Sequence, residues 1–181
     1  MPQYNFKKIA MLVALFSSVS SRADVESRHN FTSNALGNAI GFFNLEYSNK
    51  IADHLTLGVR GSTGKASFGD TDIRGSSYGV IARYYFKPAL QDSSWYLAAS
   101  ADRENFDASV TSNSTVYTGA SKRMLFAAGG GYHWFWDSFN VSLGLLFKSK
   151  QKIELRDAAG NAYKDPINTT ISIDFTIGGK F

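Results

Sequence analysis

Ile171-Ser172-Ile173-Asp174-Phe175-Thr176-Ile177-Gly178-Gly179-Lys180-Phe181 is the stretch whose pattern decides the fold. Ile171, Ile173, Phe175, Ile177 and Gly179 alternate with Ser172, Asp174, Thr176, Gly178 and Lys180, and the sequence stops on an aromatic residue. Successive strand side chains point to opposite faces, so this spacing puts the apolar residues on one side and the polar ones on the other. A strand set between lipid and a polar lumen needs that division.

Working back from this strand, alternating segments recur, and the connections between them fall into two classes. Short turns are expected at Asn49–Asp53, Lys87–Ser93 and Trp136–Ser138, and long polar connections at Gly64–Ile73, Asn105–Thr118 and Gln151–Ile167. Transmembrane barrels have short turns at one rim and long loops at the other, so the alternation assigns a side to each connection. A segment from about Gly37 to Tyr47 must then run down into a short turn, which requires an upward strand before it. Val25 to Thr32 is the stretch available, although its apolar pattern is weak. Counting it gives an all-β, eight-stranded, antiparallel up-and-down transmembrane β-barrel.

The aromatics Tyr47, Phe86, Trp95, Trp134, Trp136, Phe139 and Phe181 all fall beside connections read as short. They are expected to form an interfacial girdle at the periplasmic rim, because amphipathic rings favour the headgroup level. In the same register Phe43, Leu57, Val80, Leu97, Phe126 and Leu145 face outward. The opposite face carries the lumen charges Glu46, Arg60, Arg83, Asp102, Arg123, Lys148 and Asp174, with Asn44, Glu104 and Lys150 beside them. Both signs are present, as ion pairing in a confined interior requires. Eight strands enclose only enough space for side chains to fill, so the lumen is expected to be filled. A secreted barrel with an apolar ligand cavity would turn the pattern inside out. The aromatic girdle and the alternation of connections favour the membrane arrangement.

At the other end, Lys7 and Lys8 precede the apolar run Ile9 to Val19, and Ser21-Arg22-Ala23 supplies small residues at both positions of a cleavage site. Residues 1–23 are therefore read as a signal peptide and 24–181 as the barrel domain. Of the 19 basic residues the leader holds Lys7, Lys8 and Arg22, which leaves 16 against 15 acids and a net charge of about +1. The basic balance lies largely in the leader, and no nucleic-acid partner is implied. No apolar run reaches the ~18 residues of a membrane-spanning helix. With no cysteine, neither a disulfide framework nor a thiolate metal site is available.

The terminal alternation with its final Phe resembles the last strand of bacterial outer-membrane barrels. Across its mature length the chain is similar to the small barrels that include the OmpA transmembrane domain and the OmpX-type surface proteins. The resemblance implies that Ile173, Phe175, Ile177 and Phe181 form the signal read by the outer-membrane assembly machinery. It also implies lipid and lipopolysaccharide as surroundings, and roles such as adhesion or envelope integrity. Gly179 departs from the family pattern, which usually has a larger residue there.

Candidate chemistry is sparse. Ser33-Asn34-Ala35 recurs from the His-x-Ser-Asn-Ala run of outer-membrane lipid A deacylases, but His29 is displaced by two residues. Four strand positions span ~13 Å, too far for a His–Ser hydrogen bond. His54 and His133 near short turns read as interfacial or lumen hydrogen-bonding residues. Asp70 and Asp72 lack the remainder of a calcium loop. Gly129-Gly130-Gly131 lies inside a strand, where a phosphate loop has no place, and instead makes room for curvature or bulky neighbours. In Gln151–Ile167, Ile153 and Leu155 continue the alternation around Asp157-Ala158-Ala159-Gly160-Asn161, so a projecting ribbon is expected there. The sequence thus predicts a non-enzymatic barrel without cofactor, acting structurally or through extracellular loops on a surface partner. An enzyme acting on lipid A and a narrow channel for small solutes are the alternatives.

Overall fold

Alternation of period two runs through nearly every strand, and the fold follows from giving each strand one dry and one polar side. The computed structural model describes residues 27–149, 152–163, 167–168 and 170–181. Residues 1–23, read as a leader, and Lys150 lie outside them. Eight strands close a barrel: β1 (His29–Asn34), β2 (Phe42–Ala52), β3 (Leu55–Phe68), β4 (Thr71–Tyr85), β5 (Ser94–Ser112), β6 (Thr115–Phe135), β7 (Phe139–Lys148) and β10 (Ile171–Lys180). All neighbours are antiparallel, and β1 completes the ring against β10. A separate pair, β8 (Lys152–Ile153) with β9 (Ile167–Asn168), lies in the last connection.

The first strand differs from the expected Val25–Thr32: it begins at His29 and ends at Asn34. Asn34 accounts for the end. Its side chain accepts from Gly37 N at 2.8 Å and caps the short helix α1 (Ala35–Ala39), which delays β2 to Phe42 rather than Gly37. The seam is closed by Phe181, whose N–H donates to His29 O at 2.9 Å while its carbonyl accepts from Arg28 N and His29 N.

Two connections expected to be long loops are not loops. The stretch 64–73 continues β3 and β4 to a two-residue turn at Gly69-Asp70, with Gly69 at φ 58°. The stretch 105–118 continues β5 and β6 to a turn at Asn113-Ser114, both residues in the left-handed region at φ 49° and 64°. That geometry fits the right-handed twist of a two-residue hairpin. Their Ser, Thr and Asn content reflects strands wetted above a bilayer-sized band, not irregular backbone. β5 and β6 run for 19 and 21 residues, about twice the ~9–11 that cross a bilayer. Four adjacent strands, β3 to β6, therefore rise as a ribbon beyond the other four.

The third long connection was expected to be the projecting ribbon, but its described part, 152–163, folds back against β6. Thr118 and Arg156 exchange backbone hydrogen bonds of 2.8 and 2.9 Å.

The pairing is staggered. The hydrogen-bonded row from His29 passes Asn49, Leu57, Ala82, Ala99, Ala128 and Phe147 to Ile171. Ile171 is five residues above Thr176, the partner of Asn34, itself five above His29, so the ring closes with a stagger of ten residues. The strands are correspondingly tilted, and each row climbs roughly 3 Å per strand from β3 toward β6.

Candidate functional site

The outward face of the lower barrel is largely apolar. Phe43, Leu57, Val59, Val80, Leu97, Phe126, Leu145 and Ile173 are each about half exposed on it. At the short-turn rim Phe86, Trp95, Trp136 and Phe139 are exposed, with Trp134 above them and Trp136 stacked on Phe139 at 5.7 Å. Tyr47 stands higher on β2 and sends its hydroxyl to His29 Nδ1, 2.6 Å away. Phe181 packs on the other side of His29 at 5.6 Å. Ile173 and Ile177 point outward on β10, and Phe175 is half-buried between them.

Inside, the lumen is built in layers. The bottom layer is a plug: the turn between β4 and β5 folds into the barrel mouth, so that Ala89 and Leu90 are wholly buried, Leu90 at φ 64°. Ala89 N donates to Asp53 O at 2.6 Å and Lys180 Nζ to Leu90 O at 2.7 Å. Tyr85, Tyr96 and Phe135 pack on this turn. His133 is buried among them, with Nε2 2.9 Å from Asn140 Oδ1 and Nδ1 3.1 Å from the Tyr85 hydroxyl; Asn140 Nδ2 passes the chain on to Asn30 Oδ1 at 2.7 Å. An Nε2-protonated, neutral imidazole satisfies every partner.

Above the plug lies the charge layer. Arg83 grips Glu46 with both terminal nitrogens, Nη2 to Oε2 at 3.0 Å, and Nη2 also reaches Asp174 Oδ2 at 3.3 Å. Its guanidinium sits 5.5 Å from the centroid of the Tyr96 ring. One step higher, Arg60 donates from Nε and Nη2 to Asp102 at 2.7 and 2.5 Å and to Ser100 Oγ at 2.8 Å. Lys148 and Glu104 approach to 3.9 Å. Arg123 also faces inward, with Nε and Nη2 buried and lacking a partner among the described residues. Glu46, Arg60, Asp102, Glu104, Lys148 and Asp174 line a cavity of about 170 Å³, roomy and polar enough to hold water.

The interior is thus less polar than alternation suggested. Ile81, Leu125 and Leu146 face inward with Tyr85, Tyr96 and Phe135. The folded-in turn shuts water out of the bottom mouth, which lets rings and aliphatic chains pack there. The glycines fit this filling: a Cβ on Gly131 would stand 2.8 Å from the Tyr96 hydroxyl oxygen, and the facing Gly144 is as crowded.

Other singled-out residues are held elsewhere. Ser33 Oγ donates to Asn44 O at 2.6 Å and accepts from Asn38 Nδ2, so His29 and Ser33 are not brought together. His54 lies at the β2–β3 turn against Tyr85 O. Asp70 forms the β3–β4 turn, and Asp72 accepts from Ser67 Oγ. No metal-ligating cluster occurs among the described residues.

The ribbon beyond the barrel carries a second core. Ala108, Val110 and Leu155 are buried together, flanked by Phe106, Tyr117 and Tyr163, with the two tyrosine rings 5.1 Å apart. Asp157 pins the covering loop: its carboxylate accepts from Ala159 N, Asn161 N and Asn161 Nδ2 at 2.8 to 2.9 Å. The Asn161 side chain and these backbone donors hold its pKa below the ordinary value. Sequence reading missed the role of Leu155 as a lid, although its place between polar neighbours was a signal.

A closed eight-stranded barrel with a charged, filled lumen and an apolar outer belt defines the class: the chain has the fold of the small eight-stranded outer-membrane barrels. No protein-family model matches it, and none of the curated proteins does. Among solved structures it is similar to the N-terminal β-barrel domain of Pseudomonas aeruginosa OprF, at 12% identity and a TM-score of 0.56, covering 86% of this chain and 98% of that one. It is also similar to Neisserial surface protein A, at 16% identity and a TM-score of 0.51, covering 85% and 95%.

Proposed function

We propose that the chain resides in an outer membrane as a non-enzymatic, sealed barrel whose working surface is the extracellular lobe formed by β3–β6 and the 152–163 loop. One observation carries the reading: the lumen is filled by the plug and, above it, by the charge layer, whereas the strands are extended far past the bilayer to build a lobe with its own apolar core. A surface built at that cost in ordered residues suits contact with a partner or neighbouring surface more than passage of solutes. The Phe181 seam, on this reading, is both the closing contact of the ring and the segment presented to the assembly machinery. Both folds named above belong to outer-membrane proteins, which adds support for the location.

The test is fractionation of cells expressing the chain with and without Phe181, followed by gel migration of boiled and unboiled samples. The expected result is an outer-membrane band that shifts on boiling and is depleted without Phe181. A soluble periplasmic protein with no shift overturns the reading. Host lipid A whose mass spectrum changes on expression, and reverts in His29→Ala/Ser33→Ala, would replace the non-enzymatic assignment with the lipid A enzyme.

A further inference from the structure

Above the apolar belt, the outward face of β3–β6 carries Lys65, Arg74, Arg103 and Lys122, all exposed. Among the described residues none of the four has an ion pair or a side-chain hydrogen bond. Lys65 and Arg74 are direct cross-strand partners, a like-charge juxtaposition that destabilises a sheet; Asp107, the partner of Arg74 on β5, offsets it on one side and leaves Lys65 without an acid in its own pair. Lys122 lies one row lower on β6. The climb of the rows brings it back to roughly the level of Arg74, while Arg103 falls roughly 7 Å below. Arg103 is flanked in its own row by Tyr78 and Met124, and the next row down is Val59, Val80, Ala101 and Phe126. It is the first charge met above the belt. The acids on this face, Asp107 and Asp72, stand roughly 3 and 5 Å higher than Arg74, so the basic groups line the side next to the membrane.

We propose that this half-belt is a docking surface for the phosphorylated headgroup of the glycolipid surrounding the barrel in the outer leaflet. Two features fix the occupant. The charge is net positive, four bases against Asp72 and Asp107 on the same face, and it continues directly upward from the lipid-facing side chains, on the same strands, at the height where an outer-leaflet headgroup lies. Long Arg and Lys side chains at this height reach phosphates while their stems stay over the apolar rim. The described outward faces of β7, β10, β1 and β2 carry no Lys, Arg, Asp or Glu, so the lipid is held on one side of the barrel. The inference rests on the outer-membrane placement proposed above.

The experiment reconstitutes the full chain in phosphatidylcholine nanodiscs and titrates bis-phosphorylated lipid A against the same glycolipid stripped of its phosphates. Bound lipid is counted by native mass spectrometry, and gel migration before and after boiling is recorded on the same samples. The expected result is that removing the phosphates, or the substitutions Arg74→Gln/Arg103→Gln/Lys122→Gln, weaken retention roughly 100-fold, with about fivefold from Arg103→Gln alone. Lys87→Gln, at the opposite rim, leaves retention unchanged. Equal retention of both glycolipids, or by wild type and the triple variant, with the boiling shift intact, overturns the docking surface and leaves the membrane placement standing. Loss of the shift in the wild-type samples removes the placement and the docking surface together.

Discussion

Arg83 is the residue on which the interior depends most directly. Its guanidinium neutralises two buried carboxylates, Glu46 and Asp174. Replacing it with Ala leaves both without a counter-charge, and losing one partner of such a pair costs about 3 to 5 kcal/mol. Arg83→Ala should therefore lower the urea midpoint of the boiling-sensitive form by that equivalent. Arg83→Met/Glu46→Gln/Asp174→Asn, which removes every charge at once, should recover most of it. The inward direction of all three was legible from period two alone, because each stands directly between two apolar residues, Arg83 between Ala82 and Tyr84, Glu46 between Leu45 and Tyr47, and Asp174 between Ile173 and Phe175, and adjacent strand residues point to opposite faces. What alternation could not show is the company they keep. Tyr84 and Tyr85 are consecutive rings on opposite faces, as are Trp95 and Tyr96, so composition gives no hint of which one fills the lumen.

At the scale of elements, the ribbon hairpins were hidden because their outer faces are wet and their inner faces bury only a few residues, Ala108 and Val110 under Leu155, so the apolar alternation is too thin to stand out from a loop. Asn113-Ser114 closes the longest hairpin with two non-glycine residues at positive φ. Ser114→Gly removes the steric cost of that conformation and creates the favoured Asn-Gly pair. It should slow amide exchange at Ser112 and Thr115 by roughly 0.5 to 1 kcal/mol, whereas Ser114→Val should speed it. The covering loop has its own pH limit. Asp157 is depressed in the folded loop, so its contribution is present above the unfolded pKa and is lost as pH falls through the lower folded value. Protease cleavage within 154–163 should stay constant from neutral pH down to the ordinary aspartate range and rise only below it. Asp157→Asn should show the higher cleavage rate already at neutral pH, with no further rise on acidification.

On the scale of the whole molecule, the plug and the charge layer are barriers in series. The folded-in turn seals the bottom mouth with Ala89 and Leu90, and Arg83 with Glu46 and Asp174 spans the lumen above it. Opening either alone leaves the other, since an ion crossing a dry apolar layer and one passing the Arg83 side chain clamped between Glu46 and Asp174 both lose their hydration. Planar-bilayer recordings of the wild type should therefore show no discrete openings. Deleting Pro88 to Gln91 should admit water to the His133 layer without conductance, and Arg83→Ala/Glu46→Ala/Asp174→Ala, which clears the side chains spanning the lumen above an intact plug, should also stay closed. Combined, the deletion and the truncation of Arg83, Glu46 and Asp174 clear both layers and should yield discrete openings. Openings in the plug deletion alone would show that the Arg83 layer is passable and that the narrow-channel reading, with the turn as its gate, describes the molecule better than a permanently sealed barrel.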